Sequence, residues 1–151
     1  QSQSGNTEKM AQRIVAGMRT VKGVEVVLQR VEATGPRDLV DFDAIMLGAP
    51  VYYGMPPAEI KDLIDKSVQH HGELKGKLGG AFASSANVGG GNETTVLDIL
   101  HAWLIHGMLV VGSHEGDHYG PVSVGPPDAR ADKVCRDYGV LFAETAKRLF
   151  G

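Results

Sequence analysis

Residues 2–7, Ser-Gln-Ser-Gly-Asn-Thr, place small hydroxyl side chains, a glycine and an asparagine directly before a helical pattern. The N–H groups of a first helical turn have no partners within the helix, and the helix dipole adds partial positive charge there. A phosphate monoester can accept hydrogen bonds from those amides and from Ser2, Ser4 and Thr7, while Gly5 lets the backbone close around it. The segment contains no Lys or Arg, so the predicted phosphate site consists of neutral donors. The same residues also suit a helix start that is simply well capped.

The rest of the chain alternates between helical and strand-like patterns. Apolar residues from Met10 to Met18 recur at helical spacing in a pattern that ends near Gly23, and further helices are predicted at 58–68, 93–106 and 128–149. Short β-branched or small apolar runs predict strands at 24–31, 43–48, 77–84 and 108–111. Strands separated by helices form right-handed βαβ units. We therefore expect one α/β domain over residues 1–151, a doubly wound parallel sheet with helices on both faces.

One strand is missing from this pattern. A phosphate loop at the start of the first helix should be fed by a buried strand, but the sequence opens inside the loop. In a doubly wound sheet that strand would lie in the middle. We expect further residues before Gln1, and the alternative is a fold that lacks its central strand.

Composition narrows the classes of function. Lys and Arg total 15 and Asp and Glu total 18, so the net charge is −3, and no basic stripe indicates a nucleic-acid partner. Cys135 is the single cysteine, which excludes an internal disulfide and suits a reducing cytoplasm. No apolar run approaches the length of a membrane span.

Four segments carry a family resemblance. They are SQSGNT at 2–7, APVYYGMP at 49–56, SSANVGGGNE at 84–93 and LIHGM at 104–108. In this order and spacing they resemble the phosphate loop, the two ring loops and the H-G-M segment of the flavodoxin-like family. Within that family they are most similar to the WrbA-type NAD(P)H:quinone oxidoreductase branch.

The resemblance implies FMN as the cofactor and assigns residues to it. The FMN phosphate falls on Ser2, Gln3, Ser4, Gly5, Asn6 and Thr7. The flavin ring is expected to bind between two loops. One loop comprises Pro50, Val51, Tyr52, Tyr53 and Gly54, and the other comprises Ser85, Ala86, Asn87, Val88, Gly89, Gly90 and Gly91. His106 is expected near the pyrimidine side of the ring. No catalytic side chain is assigned, because the flavin carries the electron chemistry and the loops supply position and electrostatics.

Two classes of function are consistent with these residues. The first is an enzyme that takes electrons from NAD(P)H and passes them to a quinone or similar small acceptor. The second is a flavodoxin-type carrier of single electrons between protein partners. Such carriers are usually strongly acidic, whereas −3 is a mild charge, so the enzyme is favoured. The resemblance also implies a homo-oligomer, either a dimer or a tetramer.

One further motif has a different chemical meaning. Residues 114–118, His-Glu-Gly-Asp-His, spell the HExxH pattern of zinc metalloproteases. That pattern binds zinc only on a helix, where both histidines share one face. Gly112, Gly116, Gly120 and Pro121 break any helix in this region, so no metal site is predicted.

Overall fold

The computed structural model describes residues 4–151. Its helices are α1 Asn6–Met18, α2 Asp38–Asp41, α3 Ala58–Lys66, α4 Asn92–Ile105 and α5 Ala129–Phe150, with short 3₁₀ turns at Val31–Ala33 and Ser67–His70. Its strands are β1 Ala44–Pro50, β2 Leu78–Ser85, β3 Leu109–Val110 and β4 Val122–Val124. None of the helices in this part of the chain is long and apolar enough to span a membrane.

All strand pairs in the described residues are parallel. Strand β1 pairs with β2 over its whole length, from Ala44 opposite Leu78 to Pro50 opposite Ser84. Strands β3 and β4 both lie on the other side of β2, β3 beside its first residues and β4 beside its last three. The predicted α/β fold with a parallel sheet between helices is therefore confirmed.

Small residues in β2 allow helices to pack closely on both of its faces. A Cβ at Gly79 would lie 2.7 Å from the ring of Trp103 in α4, and one at Gly80 would lie 2.8 Å from the ring of Phe142 in α5. Neighbouring residues of a strand face opposite sides of the sheet, so α4 and α5 cover opposite faces. Every residue of β2 is buried, as a central parallel strand requires.

Helices α1 and α5 approach each other through two glycines. A Cβ at Gly17 would clash with the backbone oxygen of Arg136, and one at Gly139 would clash with that of Ile14. This contact fixes α1, and therefore the loop that precedes it, against the long closing helix.

The strand predicted at 24–31 is wrong. Residues 24–30 have no regular secondary structure, and Val31 begins a 3₁₀ turn. Although the segment is rich in β-branched residues, no strand of the described chain lies beside it to complete a ladder, and Val27 and Leu28 are 52% and 49% exposed. Strand propensity depends on packing against a neighbouring strand, and the described chain places none beside residues 24–30.

An apolar groove of about 390 Å³ lies between residues 24–31 and the unpaired side of β1. It is lined by Ile14, Phe142, Leu39 and Ile60, among others, so apolar side chains reach it from several helices. The groove lies where the sequence led us to expect a central strand.

The remaining differences are small. The predicted helices and the strands at 43–48, 77–84 and 108–111 form with shifted ends, and the helix at 58–68 finishes as a 3₁₀ turn after Lys66. Strand β4 was not predicted, because its three residues lie in a stretch that otherwise reads as an irregular loop.

Candidate functional site

Three loops meet at the carboxyl edge of the sheet. Two of them follow the ends of the parallel strands β1 and β2, at Pro50 and Ser85. The third precedes α1, and the Oγ1 of Thr7 lies 2.8 Å from the Oγ of Ser84 in a buried hydrogen bond. This bond ties the start of α1 to the end of β2, so the structure brings the three loops to one edge, where ligands bind in open α/β sheets.

The loop before α1 is a candidate anion site. Gly5 is the N-cap residue of α1, with φ of 82°, and no side chain caps the helix. The amides of Asn6 and Thr7 have no hydrogen-bond partner within residues 4–151, and no atom lies within 4 Å of where a Cβ on Gly5 would be. No side chain of the described residues caps this helix start, and its amides are donors of the kind that bind a phosphate. Ser2 and Gln3 of the predicted phosphate loop lie outside the described residues.

The loop after β1 is a tight hairpin turn. Val51 donates its amide to the Ser84 carbonyl at 2.9 Å, which continues the β1–β2 pairing past Pro50. Tyr52 and Met55 then exchange two backbone hydrogen bonds and enclose Tyr53 and Gly54, whose φ angles are 51° and 81°. Tyr53 is fully exposed, so its ring is free to lie against a flat ligand.

The loop after β2 is an exposed, glycine-rich turn. Ser85 donates its hydroxyl to the Asn87 carbonyl, and Gly90 donates its amide to the same oxygen. Ala86 to Gly89 are exposed, and Gly91 forms the N-cap of α4 with φ of 94°. A Cβ at Gly90 would lie 2.7 Å from the Asn87 oxygen, so this turn requires glycine there. The polar edge of a flavin ring can approach such a loop closely.

Two connections at this edge were missed from the sequence. Thr94, in the first turn of α4, donates its hydroxyl to the Gly54 carbonyl at 3.1 Å and so joins the second and third loops. Gly125 donates its amide to the Ser85 carbonyl at 2.8 Å and brings the segment after β4 to the same edge. A threonine three residues after a helix-capping glycine was the available signal for the first connection. The second connection follows from the position of β4, which was not predicted.

The structure does not bring His106 to these loops. His106 follows the last residue of α4, whose 14 residues span about 21 Å, while the third loop lies at the other end of that helix. Its Nε2 lies 2.8 Å from the buried Ser67 Oγ, just after α3. Burial, with a smaller contribution from nearby His71, lowers the pKa of His106 below its usual 6.5. Within this chain His106 therefore joins α3 to α4 at the amino edge of the sheet.

The chemistry of the groove beside β1 does not suit FMN. Its walls are mainly apolar side chains together with two extended backbone segments. Only its Thr7 end reaches the anion site. A phosphate and the polar edge of a flavin ring need the donors that the three loops supply.

The HExxH residues at 114–118 and the thiol of Cys135 are two further groups that could be reactive. Residues 114–118 are not helical, so the HExxH spacing does not place its histidines on one helix face, and the His114 side chain is 93% exposed. Cys135 is buried, and burial, followed by the carboxylates of Asp117 and Asp132, raises the pKa of its thiol to about 12. A thiol with that pKa is a poor nucleophile at neutral pH.

Comparison with known proteins identifies the family. Residues 1–95 match the flavodoxin domain family. A flavodoxin from Aquifex aeolicus is 34% identical, covering 95% of this chain and 82% of the relative. An NAD(P)H dehydrogenase (quinone) from Archaeoglobus fulgidus is 31% identical, covering 97% and 94%. The crystal structure of a WrbA-like flavodoxin protein from Agrobacterium tumefaciens has the same fold, with a TM-score of 0.83, 24% identity and coverage of 98% and 94%. FMN is the cofactor of this family, the donors at the candidate anion site suit its phosphate, and the chain belongs to the flavodoxin domain family.

Proposed function

We propose that this chain is an FMN-dependent oxidoreductase of the WrbA type, which passes electrons from NAD(P)H to a quinone or similar small acceptor. The proposal rests on the exposed and uncharged surface at the carboxyl edge of the sheet. Tyr53, Met55 and Val88 are exposed there, and the loops that bear them, residues 51–55 and 86–91, contain no charged side chain. A flat, uncharged acceptor can stack on such a surface, whereas docking to a protein partner relies more on charge.

The phosphate of FMN would lie at the start of α1. Ser4 to Thr7 offer two free backbone amides and small polar side chains, and the helix dipole adds positive character. The Thr7 hydroxyl can still donate to a phosphate if the Ser84 hydroxyl donates to Thr7, since each hydroxyl has one hydrogen and two lone pairs. Thr7 would thus link the phosphate to the central strand.

The flavin ring would lie between the turn at 51–54 and the loop at 86–91. These two loops would hold the ring, and FMN would supply the redox chemistry between the nicotinamide and the acceptor. The chain's own residues hold and shield the ring: Tyr52 and Tyr53 offer aromatic faces, and residues 86–91 bring backbone close to its polar edge. The relative named NAD(P)H dehydrogenase (quinone) supports NAD(P)H as the electron donor and a quinone as the acceptor.

A one-electron carrier is the second candidate. It is favoured by the relatives from Aquifex aeolicus and Clostridium saccharobutylicum, which are both named flavodoxin. A carrier would use the same FMN site, but would exchange electrons with proteins rather than with a nicotinamide.

Anaerobic visible spectroscopy separates the two candidates. FMN-loaded protein is mixed with NADPH and then, in a fresh sample, with NADH, and free FMN at the same concentration is the control. Rapid and complete bleaching of the flavin band by either nucleotide, well above the rate with free FMN, is the result expected of the reductase. If neither nucleotide bleaches the band faster than it bleaches free FMN, the reductase is wrong and the carrier is favoured. A chain that never retains FMN would exclude both.

We also infer that the chain assembles as a homo-oligomer. Leu104, Ile105, Leu109 and Val110 are exposed together at the end of α4 and along β3, a sheet edge with no further strand in the described chain. Exposed apolar edges of this kind are usually covered by another subunit. Light scattering after size-exclusion chromatography tests this. Ile105→Glu should shift a dimer or tetramer toward monomer, and a monomeric parent protein would refute it.

A further inference from the structure

The turn at Tyr53 and Gly54 adopts a conformation that its sequence does not favour. Both residues have positive φ, as a two-residue hairpin turn requires, and Tyr53 is the only residue other than glycine with positive φ in the described chain. Asparagine and glycine are favoured in such turns, whereas a bulky aromatic residue is strained there. The Tyr53 side chain is fully exposed, so packing of its own ring does not hold the turn.

Contacts from the third loop and from α4 hold this turn instead. The Oγ1 of Thr94 lies 3.1 Å from the Gly54 oxygen and 3.0 Å from the Gly91 oxygen, so its single hydrogen is shared between two carbonyls. A Cβ at Gly91 would lie 2.7 Å from the Cα of Gly54, which means that the two loops touch through glycine backbone. Thr94 is followed by the fully buried Thr95 and Val96, so its position is fixed by the core.

We propose that Thr94 is a positioning residue for the flavin ring. Its hydroxyl holds the Gly54 carbonyl, and through it the strained turn that presents the ring of Tyr53. Thr94 acts through the turn and does not itself contact the cofactor. This inference rests on the proposed placement of the flavin ring between the second and third loops.

The test compares the binding of FMN and of riboflavin, which lacks the phosphate. Flavin fluorescence gives both dissociation constants for the parent, Thr94→Val and Thr94→Ser. Loss of one hydrogen bond predicts that Thr94→Val weakens both ligands by the same factor, about 3- to 10-fold, and that Thr94→Ser, which keeps the hydroxyl, binds like the parent. Thr7→Val is the matched comparison, because a defect at the phosphate should weaken FMN and leave riboflavin unchanged.

Two further measurements separate positioning from a general structural role. The melting temperature of flavin-free Thr94→Val should equal that of the parent, since Thr94 is exposed. In a Tyr53→Gly background, which removes both the strain and the aromatic ring, Thr94→Val should cause little further loss of riboflavin affinity.

The outcomes are distinguishable. If Thr94→Val binds both flavins like the parent, or if Thr94→Ser is as impaired as Thr94→Val, the positioning role is wrong. If flavin-free Thr94→Val melts several degrees below the parent, Thr94 is structural and the inference also fails. If the parent itself binds neither FMN nor riboflavin, the proposed site fails before the role of Thr94 is reached.

Discussion

The two sides of β1 differ in a way that explains much of this structure. On one side β1 pairs with β2 over seven residues, and the helices that cover the pair are closely packed. On the other side lies the apolar groove, beyond which residues 24–30 remain irregular. Residues 24–31 contain four valines and yet form no strand, whereas β2 contains no β-branched residue and is a strand along its whole length. Strand formation here therefore depends on a hydrogen-bonding neighbour rather than on composition.

The packed side should be the more sensitive to truncation. Trp103 is fully buried, donates its Nε1 to the Gly80 carbonyl at 3.0 Å and contacts Gly79. We expect Trp103→Ala to lower the free energy of unfolding by about 3–5 kcal/mol, measured by urea denaturation. The control on the groove side is Leu28→Ala, which should change it by less than about 0.5 kcal/mol because Leu28 is half exposed. Similar losses in the two variants would contradict the comparison.

Supplying a strand to the groove should remove the difference between the two sides. We expect an amino-terminal extension of about six Val and Ile residues to raise the free energy of unfolding by about 3 kcal/mol, through burial of apolar side chains. Hydrogen exchange should show the amides of residues 24–30 becoming protected. An extension of equal length made of Gly and Ser is the control. If the two extensions behave alike, an absent neighbour is not the reason that residues 24–30 are irregular.

Thr7 joins the two sides at the carboxyl edge, where the groove meets the anion site. Thr7→Val leaves the buried Ser84 hydroxyl without this partner, so we expect a loss of about 1–3 kcal/mol in unfolding free energy and about fivefold weaker FMN binding. Thr7→Ser should restore both quantities. Calorimetry with and without FMN provides them in one experiment, and unchanged FMN affinity in Thr7→Val would refute the phosphate assignment.

The smallest expected effect is on the pH dependence of stability. It concerns His106, which lies on the packed side of β1 but at the amino edge of the sheet. Its pKa is lowered in the folded protein and returns to about 6.5 on unfolding, so below pH 6.5 the unfolded chain binds the proton more readily. This contribution to stability is complete above pH 6.5 and is lost as the pH falls toward the folded pKa. Denaturation between pH 8 and pH 5 should therefore show a weaker pH dependence for His106→Gln than for the parent. His114→Gln, at an exposed position, is the control variant.

The sequence predicted those elements whose signals are local. The small apolar run of β2 and the helical spacing of α1, α4 and α5 were sufficient, because each element is paired or packed along its length. The strand predicted at residues 24–31 is wrong because a β-branched run forms a strand only where a neighbouring strand exists. The three-residue β4 is too short to give a periodic signal.

The candidate site was only partly predictable, for a related reason. The three loops were found because glycines and hydroxyl residues follow a recognisable order, and the structure brings them to one edge. The expected position of His106 came from motif spacing alone, which does not reveal that α4 carries this residue to the far edge of the sheet. The hydrogen bond from Thr94 to Gly54 joins residues 40 positions apart, so the threonine after the capping glycine was a local signal for a contact but did not identify Gly54 as the partner.

The most direct test of the central claim is a hydrogen-exchange footprint of the protein with and without FMN. We expect FMN to slow exchange at Asn6 and Thr7 and at residues 51–54 and 86–91, while residues 67–71 and 105–107 remain unchanged. Protection confined to the groove, at residues 24–31 and 44–48, or to the surroundings of His106 would contradict the assignment of FMN to the three carboxyl-edge loops.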